Sequence, residues 1–240
     1  MFDVLHDKPF IFLHAPKTGG GSLKLVLAEN RPDTINKLPL SCFRAIRGTK
    51  AWLEQKYKYP KESLLMRAYH KDLSFFKERL LKKKCYERVL KFSVVRNPYE
   101  RMFSLYKWKS KRFKEVKSDL QDYSQLARKY SNAKYTKAPT CISDDVSFRD
   151  FVINHDIFLN KYEKNNVLDY VGLEFDRIIR FENLQEDSSL VLKELGIMSE
   201  IPHIHKTPQT NDWRSYYDSE TKKIVKMIFS KDIAFFGYNI

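Results

Sequence analysis

The sequence contains little cysteine, glycine or proline. Its 240 residues include three cysteines, seven glycines and nine prolines. The cysteines (Cys42, Cys85 and Cys141) are odd in number and far apart, and they form no CxxC pair. This spacing argues against a disulfide framework and against a zinc site, so we interpret them as buried or incidental thiols. The scarcity of glycine and proline argues against a low-complexity linker, and the chain shows no internal repeat.

Long apolar runs are also missing. No stretch approaches the ~20 residues that a membrane-spanning helix needs, and the N-terminus lacks the apolar core of a signal peptide. We therefore expect a soluble cytoplasmic protein, or the trimmed catalytic domain of a Golgi-type enzyme. With 42% hydrophobic residues, a chain of this length can bury a sizeable core as one domain spanning residues 1–240.

Acidic residues are outnumbered, with 30 Asp and Glu against 44 Lys and Arg and a formal net charge of +14. Such an excess predicts attraction to polyanions and says nothing about the fold. The candidate partners at this point are a nucleic acid, an anionic membrane surface, an acidic polysaccharide and a nucleotide.

Short apolar runs alternate with helical patterns along the chain. Four of them predict strands, at Phe10–Leu13, Leu64–Ala68, Val89–Val95 and Arg177–Phe181. After the third, Asn97 is placed to cap a helix that begins at Pro98. This alternation predicts an α/β fold, a single P-loop-like domain with a central parallel sheet flanked by helices. Residues 107–147, basic and rich in aromatics, are interpreted as an elaboration of that domain.

The segment HAPKTGGGSL follows the first strand and precedes a helical pattern. We call residues 14–22 the glycine loop. Backbone N–H groups at a helix N-terminus bind anions, and glycines let the backbone approach a phosphate closely. Lys17 would add a point charge, and Thr18 and Ser22 would add hydroxyl groups.

The ATP- and GTP-binding loop has the pattern GxxxxGK[ST], with its lysine after the glycines. Here the lysine precedes them. The predicted strands also lack a terminal aspartate to hold magnesium, since Arg96 follows one strand and Glu182 follows another. The pattern therefore favours transfer of a group that carries less charge than a phosphoryl group.

The glycine loop resembles the 5′-phosphosulfate loop of sulfotransferases that use 3′-phosphoadenosine 5′-phosphosulfate (PAPS). Carbohydrate sulfotransferases of that superfamily commonly have H-x-P-K-T-G-G-T-S-L at this place. The segment VVRNPYERMFSLY, residues 94–106, is similar to their 3′-phosphate-binding strand and helix. IIRFENLQED, IPHIHKT and DIAFFGY also resemble family segments, in the expected order. Within the superfamily, the chain resembles the uronosyl and heparan 2-O-sulfotransferase-like group.

This resemblance implies PAPS as the sulfuryl donor, the desulfated nucleotide PAP as the product, and no metal. It implies nucleotide-binding roles for Pro16, Lys17, Thr18, Gly19, Gly20, Gly21, Ser22, Arg96 and Ser104. Lys17 would stabilise charge on the leaving phosphate oxygen. His14 would orient the loop.

The catalytic base implied by the resemblance is His70, in the segment MRAYHKDLSFF. An ordinary histidine pKa of about 6.5 suits a general base. Glu182 and His205 are the alternatives. One position departs from the family pattern, because Gly21 stands where a threonine is usual, and a hydroxyl contact to the 5′-phosphate would be lost.

The segment KWKSKRFKEVK, residues 107–117, interleaves basic and aromatic residues, as surfaces that bind nucleic acids or acidic sugars do. Beside the sulfotransferase motifs we favour an anionic polysaccharide acceptor and no nucleic acid. The weak candidates for acceptor binding are Lys107, Trp108, Lys109, His203 and His205. Two other functions stay open, a P-loop kinase-like phosphoryl transferase and a non-catalytic polyanion-binding protein. The sequence gives no oligomeric state.

Overall fold

The structure is a computed structural model, and it describes residues 10–13, 15–30, 90–119, 142–171, 173–202 and 212–240. The predicted strand at Leu64–Ala68 lies outside these residues. The chain divides into two compact units. The first comprises Met1–Arg96 and Val167–Lys206, and the second comprises Asn97–Asn166 and Thr207–Ile240. A single sulfotransferase domain over residues 1–240 stays a prediction.

The described elements alternate between strands and helices at first and are helical later. In chain order they are β1 (Phe10–Leu13), α1 (Gly20–Asn30), β2 (Leu90–Val95), α2 (Pro98–Asp119), α3 (Phe148–Ile153), α4 (His155–Phe158), α5 (Lys161–Lys164), α6 (Leu168–Val171), β3 (Arg177–Arg180), a 3₁₀ turn (Phe181–Asn183), α7 (Leu184–Glu194), a 3₁₀ turn (Trp213–Tyr216), α8 (Ser219–Ile228) and α9 (Ser230–Phe236).

The first unit is built on a parallel sheet in the order β1-β2-β3. The predicted α/β fold with a parallel sheet is therefore confirmed. β1 has the predicted bounds, and β2 begins one residue later than predicted. β3 ends one residue earlier than predicted, because Phe181 begins a 3₁₀ turn. All six residues of β2 are buried, as expected for the central strand of a parallel sheet.

Apolar packing and one buried hydroxyl join β1 to β2. The Phe12 and Phe92 rings are stacked, with their centroids 5.2 Å apart, inside the core of the first unit. Next to them, the Ser93 hydroxyl donates a 2.5 Å hydrogen bond to the Leu13 carbonyl. A buried hydroxyl needs such a partner, and this one fixes the last residue of β1 against the central strand.

A buried lysine joins β2 to β3. The ammonium of Lys91 lies 3.0 Å from the Asp176 carboxylate, just before β3, and the Lys91 N–H donates to the same carboxylate at 2.7 Å. In return the Asp176 N–H donates to the Lys91 carbonyl at 2.8 Å. These bonds fix where β3 begins beside β2.

The second unit is helical around an aromatic core. Helix α2 begins as predicted, with Pro98 in its first position and the Asn97 carboxamide oxygen accepting from the Tyr99 N–H at 3.0 Å. The Tyr217 ring packs edge-on against Tyr99, and its hydroxyl donates to the Tyr99 carbonyl at 2.7 Å. Within the described residues, no helix is both long enough and apolar enough to cross a membrane.

Candidate active site

The strand register brings three segments to one edge of the sheet. Leu13 pairs with Ser93, and Val95 pairs with Arg180. The strands are parallel, so the residues that follow their carboxyl ends lie side by side: the glycine loop after β1, Arg96 after β2 and Phe181 after β3. This edge is where ligands bind in open α/β sheets.

The glycine loop makes a tight turn before α1. Lys17 has a φ of 62° and Gly19 a φ of 88°, both in the left-handed region. That region is unfavourable for a lysine, so the loop holds some local strain at Lys17. The Thr18 hydroxyl is fully buried and donates to the Ala15 carbonyl at 3.0 Å. Its hydrogen therefore closes the turn, which differs from the expected donation to a phosphate.

Helix α1 begins directly at the end of this turn, at Gly20. The first N–H groups of a helix have no partner within the helix, and they carry the positive end of its dipole. Gly20, Gly21 and Ser22 form this first turn, and Ser22 is buried. With glycines at two of these positions, little side-chain bulk covers the backbone donors.

Two cations share the loop. The Arg96 guanidinium donates to the Lys17 carbonyl at 3.3 Å. The pKa of Lys17 is lowered to about 8, chiefly because burial disfavours the charged ammonium and also because Arg96 repels it. The negative charge of an anion bound in the loop would offset both effects, because it favours the protonated lysine. The arrangement is therefore suited to bind an anion and to stabilise negative charge that develops on it.

Phe181 contacts both the arginine and the loop. The Arg96 guanidinium carbon lies 3.9 Å from the centre of its ring. A Cβ built on Gly19 would lie 2.2 Å from Cδ2 of the same ring. The sequence analysis did not select Phe181 as a site residue. The signal in the sequence that could have identified it is an aromatic residue at the end of a predicted strand of a parallel sheet.

Gly21, the position that departs from the family pattern, has room for a side chain. It lies in α1, and a Cβ built on it would meet no atom within 4 Å among the described residues. Packing among the described residues therefore does not impose the absence of threonine.

The candidate site residues on α2 belong to the second unit, and they differ in how far they are exposed to solvent. Ser104 and Trp108 are partly exposed, and Lys107 is exposed. Lys109 is buried, with its ammonium 3.0 Å from the Glu163 carboxylate and donating to the Phe158 carbonyl at 2.8 Å. A lysine held in this way is a structural residue, which corrects the expectation that Lys109 would bind an acceptor.

Four histidines named from the sequence, His14, His70, His203 and His205, lie outside the described residues. The described part of the chain contains no group of three or more His, Cys, Asp or Glu side chains that could hold a metal ion.

Comparison with known proteins gives a family match. A sequence model of the Sulfotransferase family matches residues 1–239. The crystal structure of a sulfotransferase from Alicyclobacillus acidocaldarius is similar at 13% identity and a TM-score of 0.39, over 97% of each chain, a likeness too distant to carry an argument. No curated protein matches the chain significantly. Because the family match covers nearly every residue, the chain belongs to the Sulfotransferase family, whose members are enzymes that transfer a sulfuryl group.

Proposed function

We propose that this enzyme transfers the sulfuryl group of PAPS to a hydroxyl group of an anionic carbohydrate and releases PAP. The observation that carries the proposal is the glycine loop, where Arg96 donates to the Lys17 carbonyl in the turn that leads into the N-terminus of α1. Two cations and a set of backbone N–H groups at one strand edge suit a ligand with several anionic groups.

The glycine loop is proposed to bind the phosphosulfate end of the nucleotide. Backbone N–H groups of Gly19, Gly20 and Gly21 would donate to it, together with the hydroxyl of Ser22, while Pro16 and Thr18 shape the turn. Arg96 and Ser104 are assigned to the 3′-phosphate because they match the family motif. A guanidinium suits this role, since its rigid fork of donors matches a phosphate group.

The transfer is proposed as an in-line displacement. The acceptor oxygen forms a bond to sulfur while the bond between sulfur and the phosphate oxygen breaks. His70 takes the acceptor proton. Lys17 stabilises the negative charge that appears on the leaving phosphate oxygen, and its protonated form is the one required.

Phosphoryl transfer from ATP is the second candidate function. It is less favoured because the lysine precedes the glycines, unlike that of the ATP-binding loop. A third candidate is a polyanion-binding protein that binds nucleotide without transferring sulfate.

An anionic acceptor is supported by the net charge of +14 and by α2. The exposed Lys107 has its ammonium 5.9 Å from the centre of the buried Phe103 ring, and the centroid of the exposed Tyr216 ring lies 4.7 Å from that of Phe103. An exposed cation and an exposed aromatic ring that both contact Phe103 suit an acidic sugar, whose apolar face would stack on Tyr216 while its carboxylate or sulfate meets the lysine.

Nucleotide identity is tested by thermal melting. PAP without magnesium should raise the melting temperature, because a ligand at 100-fold excess over its Kd adds about 2.7 kcal/mol to the stability of the folded state. Lys17→Ala should reduce this shift. Stabilisation by ATP with magnesium and none by PAP would contradict the proposal. Binding of PAP with no transfer to any glycan would favour the non-catalytic function.

The acceptor class is tested by sulfate transfer to heparosan-like, chondroitin-like and neutral glycans. The anionic glycans should be preferred. Lys107→Glu should raise KM for them several-fold with little change in kcat, because the substitution reverses a charge at the proposed acceptor surface. Lys223→Glu, an equal charge change at an exposed position of α8, is the matched control. A preference for neutral glycans, or equal effects of both substitutions, would argue against this surface.

The pH dependence of kcat/KM follows from Lys17. Its pKa of about 8 in the free enzyme predicts that activity is present below this pH and falls as the pH rises through it, since the ammonium is lost. Lys17→Arg should move this alkaline limit upward, because guanidinium stays charged. An alkaline limit that is the same in wild type and Lys17→Arg would remove Lys17 from this role.

His70→Ala should abolish transfer and leave PAP binding intact.

Gly21→Thr should restore the hydroxyl that is usual in the family. Since the described residues leave room at this position, we expect PAP to bind about 10- to 100-fold more tightly, in line with one hydrogen bond to a charged group. Gly21→Val, which has the same shape without the hydroxyl, is the control and should not tighten binding. Equal affinities of the threonine and valine variants would show that no hydroxyl contact forms at this position.

A further inference from the structure

We propose that Phe181 is a positioning residue of the sulfuryl-transfer site: its ring holds the Arg96 guanidinium against the glycine loop and sets the path of the loop at Gly19. The identity of the ligand rests on the function proposed above. The positioning itself is argued from contacts within the first unit.

The first contact is with Arg96. Its guanidinium carbon lies 3.9 Å from the centre of the Phe181 ring, while one of its nitrogens donates to the Lys17 carbonyl at 3.3 Å. A cation over an aromatic face is attracted by the ring quadrupole, and more strongly where water is excluded. The ring on one side and the loop carbonyl on the other leave a long, flexible side chain with one favoured orientation.

The second contact is with Gly19. A Cβ at this position would lie 2.2 Å from Cδ2 and 2.5 Å from Cε2 of the Phe181 ring. The ring therefore occupies the space that a side chain would need, and Gly19 also has a φ of 88° that favours glycine. The turn is thus packed directly on the aromatic ring, and a shift of the ring would change the turn that presents Lys17.

The fold holds Phe181 in place without help from a ligand. The residue follows β3 immediately and begins the 3₁₀ turn that leads into α7. Just before it, the Arg180 N–H donates to the Asp187 carboxylate on α7 at 2.7 Å. Its ring is partly buried against the apolar core of the first unit. Phe181 can therefore hold Arg96 and the glycine loop in fixed positions relative to the sheet.

Two results are expected if the ring is replaced by a flexible apolar side chain. Arg96 should sample more orientations, so PAP should bind more weakly. Arg96 should also spend less time beside Lys17, and the pKa of Lys17 should rise, because repulsion from Arg96 is one of the two causes that lower it. Lost burial of Lys17 would raise its pKa as well, and the part of the rise that comes from Arg96 is the part that disappears in an Arg96→Ala background.

The test compares Phe181→Leu, which removes the ring, with Phe181→Tyr, which keeps it. Phe235→Leu, the same change at an exposed position of α9, is the matched control. Affinity for PAP is measured by calorimetry. The pKa of Lys17 is measured without any ligand, from the pH dependence of its labelling by an amine-reactive reagent and mass spectrometry. Melting curves establish that each variant is folded.

We expect Phe181→Leu to weaken PAP binding about 3- to 10-fold, the scale of one cation–π contact, and to raise the pKa of Lys17. Phe181→Tyr and Phe235→Leu should match the wild type in both measurements. In an Arg96→Ala background the leucine substitution should cause a smaller further loss of affinity, since only the contact of Phe181 with the loop at Gly19 then remains.

Wild-type affinity and an unchanged Lys17 pKa in a folded Phe181→Leu variant would overturn the inference. If the leucine variant does not fold, Phe181→Tyr decides, because loss of PAP affinity in a variant that keeps the ring and melts normally contradicts a role for stacking. Failure of the wild type to bind PAP contradicts the proposed nucleotide instead. The labelling of Lys17 then still tests whether Phe181 holds Arg96 beside it.

Discussion

The parallel register of β1, β2 and β3 is the constraint on which the site depends. It places the glycine loop, Arg96 and Phe181 directly after three neighbouring strand ends, although these segments are far apart in the chain. The Ser93 hydroxyl bonded to the Leu13 carbonyl fixes one strand pair, and the two-way bonding between Lys91 and Asp176 fixes the other. A slip of one residue between β1 and β2 would move Arg96 relative to the glycine loop, and a slip between β2 and β3 would move Phe181 relative to Arg96.

The site concentrates positive charge in a partly buried place, which has an energetic cost. Burial and Arg96 both disfavour the ammonium of Lys17 and lower its pKa to about 8. Despite this cost, the strand register and the Phe181 ring hold Lys17 and Arg96 close together. Under the proposed function, binding of an anion would offset the repulsion, and negative charge that develops during transfer would offset it further. Such charges, oriented before the reaction, need little rearrangement when the leaving oxygen becomes charged.

Local features of the sequence predicted the strands, the turn and the start of α2, because short apolar runs, glycines and an Asn-Pro pair act over a few residues. The contacts of Phe181 and Lys109 were not predictable in the same way. The ring meets Arg96 and Gly19 only through the strand register, and Lys109 is buried only because Glu163, over fifty positions later, supplies a carboxylate. The sequence alone does not distinguish the lysines of the basic segment, whereas in the fold Lys107 is exposed to solvent and Lys109 is buried.

The position of the lysine also has a structural reason. Lys17 lies within the turn, with a φ of 62°, so its side chain starts outside the helix. Gly20, Gly21 and Ser22 form the first turn of α1, so little side-chain bulk of their own stands beside its backbone donors. In this arrangement the lysine and the helix N-terminus act on the ligand as separate groups. Under the proposed function, Lys17 would contact the leaving oxygen while the backbone N–H groups at the start of α1 bind the phosphate. This separation of the two groups suits sulfuryl transfer.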